Sequence, residues 1–197
     1  MNPTPPNTAI FVILLVAVVL AVVAWLIVQR QRSLHLKRRF GPEYDLTVSS
    51  FHSRTKAETE LQKREDRVAR LKIVPLTPTD AARFSQAWNE LQSRFIDNPK
   101  GVVAHADQLV RELMEERGYP MGDFERRAAD ISVDHPAVVA TYRVAQGIAA
   151  SDARGEADTE ELRKAVIYYR TLFDELLGVA HDRVAALPPV RRVPVHS

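Results

Sequence analysis

Twenty consecutive residues near the N-terminus, Ala9 to Val28, contain no charged residue, no amide side chain, no glycine and no proline. As a helix with a rise of about 1.5 Å per residue, this segment is roughly 30 Å long, which matches the hydrocarbon thickness of a bilayer. Fifteen of the twenty residues are Val, Ile, Leu or Phe, and each such residue near mid-membrane favours insertion by about 0.3–0.6 kcal/mol. We therefore expect a transmembrane helix at 9–28, preceded by a short tail at 1–8.

The charge of the chain is divided between two regions. Residues 29–72 hold twelve Lys/Arg and six Asp/Glu, whereas residues 73–187 hold thirteen Lys/Arg and nineteen Asp/Glu. Phosphate binding needs a basic excess on the folded module itself, so we expect no nucleic acid partner. The chain has no cysteine, which excludes disulfides, thiolate metal sites and thiol nucleophiles.

The residues that flank the apolar segment predict its orientation in a membrane. Residues 1–8 carry no charged side chain, whereas five basic residues follow the segment: Arg30, Arg32, Lys37, Arg38 and Arg39. The positive-inside rule therefore places the N-terminus outside and the rest of the chain in the cytoplasm, with Trp25 near headgroup level. A cleaved signal peptide is the rival interpretation, but it requires a basic start, a shorter apolar run and a small-residue cleavage site.

The basic run at 29–39 has two interpretations. Its charges could attract anionic lipid headgroups, at about 1 kcal/mol per residue close to the surface. They could also serve only as the topology signal. We favour the second interpretation, because nearly every anchor of this orientation has such a flank.

Residues 29–75 are predicted to form a basic juxtamembrane collar and a polar helical stalk. The anchor helix is expected to continue to Phe40, where Gly41-Pro42 interrupts it. From Tyr44 to Lys72 the chain lacks Pro and Gly and has a thin apolar stripe, which predicts a helix that is solvated, packs on the following domain or contacts a partner. Arg64 occupies a seam position of the heptad and disfavours a long coiled coil.

Residues 76–187 are predicted to form a bundle of about five helices, so that the fold class is all-α. Thr77-Pro78, Asn98-Pro99 and Asp158 have the residue types of helix starts, and the apolar positions between the start and stop signals recur every three or four residues. No alternating strand pattern occurs between 76 and 177. Residues 188–197 are rich in proline and are expected to form a disordered or extended tail.

The sequence contains no constellation that predicts catalysis. Its six histidines do not fall in an acid-x-x-His or His-x-x-x-His frame, and His135 is expected to cap a helix. No serine lies on a glycine-flanked turn, and the chain has no glycine-rich phosphate loop, since no two of its seven glycines lie within three residues of each other. We therefore predict no cofactor and no metal, and we lean towards a protein that is not an enzyme.

Four residues are candidates for an interaction site: Arg117, Tyr119, Tyr142 and Arg143. Arginine and tyrosine are frequent at recognition surfaces. The alternative is structural, with Gly118 capping a helix, Tyr119 covering that cap and Tyr142 in the core. We favour the structural alternative.

Three segments resemble a group of uncharacterised bacterial single-pass membrane proteins with a helical C-terminal domain: RFGPEYDLTV at 39–48, ERGYP at 116–120 and HPAVVATYR at 135–143. The resemblance implies a bacterial inner-membrane setting and supplies no catalytic residues. Our first hypothesis is a membrane-tethered cytosolic helical module that binds an unknown protein partner. The alternative is a small-ligand sensor or an unrecognised enzyme with a site inside the bundle.

Overall fold

The computed structural model describes residues 6–95 and 98–178. Within these ranges the regular structure is entirely helical, which confirms the all-α prediction, and the helices are α1 (Pro6–Phe40), α2 (Pro42–Phe51), α3 (Arg54–Val68), α4 (Pro78–Arg94), α5 (Pro99–Glu116), α6 (Phe124–Asp134), α7 (Pro136–Ala153) and α8 (Thr159–Leu177). The Pro-rich tail predicted at 188–197 lies outside the described residues, as does the predicted end of the bundle at 187. The chain divides into two units, one ending at Lys63 and the other beginning at Arg64.

The first helix carries the apolar segment identified in the sequence. The large apolar side chains between Val12 and Val28 are 46–68% exposed, and Trp25 is 60% exposed. α1 is thus long and apolar enough to cross a membrane. It does not end with the apolar segment, but continues through the basic collar to Phe40.

The predicted stalk consists of two helices rather than one. Gly41 has a φ of 48°, a conformation that glycine adopts without strain, and Pro42 begins α2. α2 ends at Phe51, and His52 follows in the left-handed conformation with a φ of 51°. The sequence gives no Pro or Gly to predict this break. The hydroxyl of Ser50 bonds to the backbone carbonyl of Thr47, a local contact that competes with helix continuation.

The first unit buries one face of each of its three helices. The buried residues are Ser33, Leu36 and Phe40 on α1, Glu43, Tyr44 and Thr47 on α2, and Ala57 and Leu61 on α3. Three of them, Tyr44, Ala57 and Leu61, belong to the thin apolar stripe that the sequence predicts between residues 44 and 72. Phe51, another member of that stripe, is instead 42% exposed.

The second unit contains the five helices predicted between 76 and 187, namely α4 to α8. Four of them begin at a side chain that accepts a hydrogen bond from the backbone N–H three residues later: Thr77, Asn98, Asp123 and Asp158. The sequence predicted three of these helix starts, at Thr77, Asn98 and Asp158, but not the one at Asp123. Each cap satisfies an N–H group that has no partner within the helix.

The core of the second unit lies where α8 packs against α5 and α7, while α4 covers α5 and α6 packs on α7. Trp88 and Phe173 are fully buried at its centre, with ring centroids 4.6 Å apart. α6 is buried over seven consecutive residues, from Arg127 to Val133. Charged side chains are seldom buried, yet this stretch of α6 contains Arg127 and Asp130 as well as Ser132.

Candidate functional site

At the end of α5, the backbone at Gly118 passes close to the backbone at Lys72. Gly118 donates its N–H to the Glu115 carbonyl at 2.8 Å and Tyr119 donates to the Met114 carbonyl at 3.0 Å, which together form a Schellman motif. Gly118 has a φ of 91°, and a Cβ at this position would lie 2.5 Å from the carbonyl oxygen of Lys72. Only glycine fits at this crossing, so the expected capping role of Gly118 is the observed one.

Arg117 and Tyr119 lie together at this end of the bundle. The Arg117 guanidinium donates to the Leu176 carbonyl at 2.9 Å and so caps the C-terminal end of α8. Tyr119 is 3% exposed, and its hydroxyl donates a long hydrogen bond of 3.4 Å to Asp134 Oδ2. Burial raises the pKa of Tyr119, and the Asp134 carboxylate raises it further. Both side chains therefore join elements of the bundle in this structure.

Tyr142 lies inside the bundle. It is fully buried and makes edge contacts with Phe124 and Tyr169, at centroid distances of 5.0 Å and 6.2 Å. Burial raises the pKa of Tyr142, and the nearby Arg127 guanidinium offsets part of that rise. A phenol in this position remains neutral and contributes to packing.

Arg143 follows Tyr142 in the chain, and its side chain is 21% exposed. Its guanidinium pairs with the Glu125 carboxylate at 2.7 Å, and the Glu125 side chain is 75% exposed. Of the four candidate residues, the structure thus brings Arg117 and Tyr119 together at the end of α5 and separates them from Tyr142 and Arg143. None of the four lines the α4–α5 groove described below.

Two further buried polar contacts were not predicted from the sequence. The Tyr169 hydroxyl lies 3.1 Å from Asp107 Oδ1 and 3.2 Å from Gln146 Oε1, and burial together with Asp107 raises its pKa. Arg67 Nε donates to Asp130 Oδ1 at 2.7 Å, and the Asp130 side chain is 1% exposed. In the sequence, only the position of Asp130 among the buried residues of α6 indicates such a contact. It does not identify the partner, because Arg67 lies 63 positions away.

His135 has a different role from the expected cap. It stands at the start of α7 without a side-chain hydrogen bond to the backbone there, and its Nδ1 atom lies 3.1 Å from Glu175 Oε1 on α8. In the described ranges 6–95 and 98–178, no group of three or more His, Asp or Glu residues is arranged to hold a metal ion.

A groove of about 220 Å³ runs between α4 and α5. Its floor is apolar and its rim is polar; the lining residues are Ala87, Glu90, Leu91, Arg94, Val102, His105, Gln108, Leu109 and Glu112. This volume is below the range of about 300–1,000 Å³ that is usual for drug-sized ligands. The groove could accept a small molecule or a few side chains of a partner.

In the first unit, one carboxylate joins all three helices. Glu58 on α3 accepts hydrogen bonds from the Tyr44 hydroxyl on α2 at 2.7 Å and from Arg54 Nε at 2.9 Å, and also from the Ser33 hydroxyl on α1. Burial by itself would raise the pKa of Glu58, but the hydrogen bonds from Arg54, Tyr44 and Ser33 outweigh it and lower the pKa. An ionised Glu58 therefore fixes α2 and α3 to the collar part of α1.

The comparisons with known proteins add no family or activity to this geometry. No protein-family model, no curated protein and no solved structure matches the chain.

Proposed function

We propose that this chain is a single-pass membrane protein whose α4–α8 bundle binds another protein, without a catalytic step. The observation that carries the proposal is α1, an exposed apolar helix of bilayer length in the same chain as a packed helical bundle. Buried polar contacts link helices to one another: Tyr169 on α8 contacts Asp107 on α5, and Arg67 at the end of α3 contacts Asp130 on α6. A tethered bundle raises the effective concentration of any partner at the same membrane surface.

The bundle lies in the cytosol in this proposal, and the membrane is the inner membrane of a bacterium. The support is the collar, with five basic residues after the apolar segment and none before it. The resemblance to bacterial single-pass proteins supports the choice of membrane.

A single cysteine tests the orientation, because the native chain has none. In Ala153→Cys, at an exposed position near the end of α7, a membrane-impermeant maleimide should label intact cells only after the membrane is opened. Immediate labelling would place the bundle outside and contradict the cytosolic assignment. As a matched variant, replacing the five collar residues by Gln should give mixed labelling.

Site-specific crosslinking on the full chain tests the protein partner. A photoreactive residue at Gln108 or Glu112 on α5, or at Arg163 on α8, samples two separate faces of the bundle. One face should give an adduct of one size, and the crosslinked protein should in turn retrieve this chain when it is tagged itself. Absence of an adduct from every tested face of the bundle would contradict the binding proposal.

A ligand sensor or an unrecognised enzyme is the second candidate, and the observation that favours it is the groove between α4 and α5. A ligand at a hundred times its dissociation constant stabilises a protein by about 2.7 kcal/mol, so a melting screen of the full chain against metabolites should reveal it. His105→Trp would fill the groove and abolish the shift. A shift that survives this substitution would place the ligand elsewhere.

A further inference from the structure

The chain that leaves the bilayer on α1 turns back toward it. α1 ends at Phe40, roughly 18 Å along the helix beyond Val28. Ser33, which lies about 7.5 Å beyond Val28 on the same helix, is nevertheless buried, and its side chain interacts with Glu58 on α3. α2 and the turn after it therefore carry the chain back toward the bilayer by roughly 10 Å. This step rests on the proposed membrane crossing of residues 9–28.

This return brings Arg54 to the level of the lipid headgroups. The headgroup layer extends roughly 5–8 Å beyond the hydrocarbon core on each side, and Ser33 lies at about that depth. Arg54 Nε is 2.9 Å from the Glu58 carboxylate that Ser33 also contacts, and the Arg54 side chain is 66% exposed. The cationic side chain of Arg54 on α3 thus lies beside the polar surface of the membrane.

The corner between α2 and α3 has the composition of a membrane-surface site. Phe51 is 42% exposed, and His52, Arg54 and Lys56 are also exposed. Residues 29–60 contain seven Lys/Arg and four Asp/Glu; of the four acids, Glu43 is buried and Glu58 pairs with Arg54. An exposed aromatic ring among basic side chains combines apolar insertion with attraction to anionic lipid.

We propose that the corner from Phe51 to Lys56 is a second membrane contact, which binds anionic phospholipid headgroups of the same bilayer that α1 crosses. On α1, Arg30 and Arg32 precede Ser33 by three residues and one residue, and both are exposed. With two attachments to one surface, the first unit lies against the membrane and its attachment strengthens with the anionic lipid content.

Headgroup quenching in nanodiscs tests this contact on the full-length chain. A fluorophore on Thr55→Cys reports proximity to spin-labelled headgroups, in discs of phosphatidylcholine with or without phosphatidylglycerol. We expect stronger quenching with phosphatidylglycerol and a decrease as salt is added. Lys56→Gln should lower the ratio of docked to undocked molecules about fivefold, since one basic residue near the surface contributes about 1 kcal/mol.

Two controls make the outcome decisive. Lys63→Gln removes the same charge two turns further along α3 and should leave the ratio of docked to undocked molecules unchanged. Equal losses for Lys56→Gln and Lys63→Gln would overturn the proposal. Equal quenching in the two lipid mixtures would also overturn it. A fluorophore on Val16→Cys reports the membrane crossing itself. If Val16 lies in hydrocarbon and Thr55 is unquenched, the corner contact alone is wrong. If Val16 remains in water, the tether is wrong as well.

Discussion

Residues 30–63 and residues 64–178 reach their folded states with different chemistry at their centres. In the first unit, three helices meet at the Glu58 carboxylate, and the buried apolar side chains beside it are few. In the second unit, an extended apolar cluster surrounds Trp88 and Phe173. Apolar burial is insensitive to pH, whereas a carboxylate that joins three helices stabilises them only while it is ionised. The two units should therefore respond differently to the same perturbation.

A matched pair of cysteine substitutions can measure this difference. Ala57 on α3 and Ala128 on α6 are both 0% exposed, and the native chain has no thiol. Ala57→Cys thus places a buried thiol in the first unit, the α3 reporter, and Ala128→Cys places one in the second unit, the α6 reporter. The rate at which a thiol reagent modifies each reporter measures how often that unit opens.

The largest effect is expected from Trp88→Ala in the apolar core. Trp88 is 1% exposed and packs on Phe173 at 4.6 Å, and removal of a buried tryptophan side chain costs about 3–5 kcal/mol. Modification of the α6 reporter should accelerate strongly and the urea midpoint of the bundle should fall, while the α3 reporter retains its rate. If the α3 reporter accelerates to the same extent, the two units open as one.

Asp130→Asn should cost about 2 kcal/mol, the scale of a hydrogen bond to a charged group. The substitution leaves the Arg67 guanidinium, whose side chain is 23% exposed, without its carboxylate. Urea unfolding measures the loss. The double variant Arg67→Met, Asp130→Leu should recover much of it, because apolar replacement of a whole buried pair is often neutral. A double variant as unstable as Asp130→Asn would contradict this account.

Glu58→Gln should loosen the first unit by about 1–2 kcal/mol, which corresponds to a roughly 5- to 30-fold rise in the modification rate of the α3 reporter. The pH dependence follows from the lowered pKa of Glu58. Because the folded-state pKa lies below the ordinary value of 4.5, the stabilisation is complete above about pH 4.5 and is lost as the pH falls through the lower folded-state value.

The two cysteine reporters separate this acid effect from general acid denaturation. The α3 reporter should become reactive in acid at a pH where the α6 reporter remains protected. This acid sensitivity of the α3 reporter should disappear in Glu58→Gln. An acid response that survives Glu58→Gln would assign the titration to another group.

The smallest effects are expected at two arginines that differ in their surroundings. Arg143 pairs with an exposed carboxylate, so Arg143→Gln should change the free energy of unfolding by less than about 0.5 kcal/mol. Arg170 lies over the rings of Trp88 and Phe173, at 5.4 Å and 5.8 Å, and also pairs with Asp174 at 2.9 Å, so Arg170→Gln should cost about 1 kcal/mol. Urea unfolding of the two variants gives both values. The reverse order would mean that the ring contacts and the Asp174 pair of Arg170 together contribute less than the pair between Arg143 and Glu125.

The five bundle helices could be predicted because their signals are local. Thr77, Asn98 and Asp158 cap helices within three residues of their own positions, and the periodic apolar residues follow directly. Contacts between distant segments left no such signal. The partner of Asp130 lies 63 positions earlier in the chain, and the break at His52 has neither proline nor glycine. The contact of Glu58 with Ser33 likewise depends on how α3 returns to α1.

α1 is one unbroken helix from the apolar segment to the face that bears Ser33, Leu36 and Phe40, so it can transmit torsion. Each residue turns the helix by about 100°. One residue inserted between Val28 and Ser33 would therefore swing that face, with α2 and α3 attached, through more than a quarter of a turn. Seven inserted residues would return it to within about 20° of its original azimuth. Any rotation of α1 about its own axis would likewise turn α2 and α3 through the same angle.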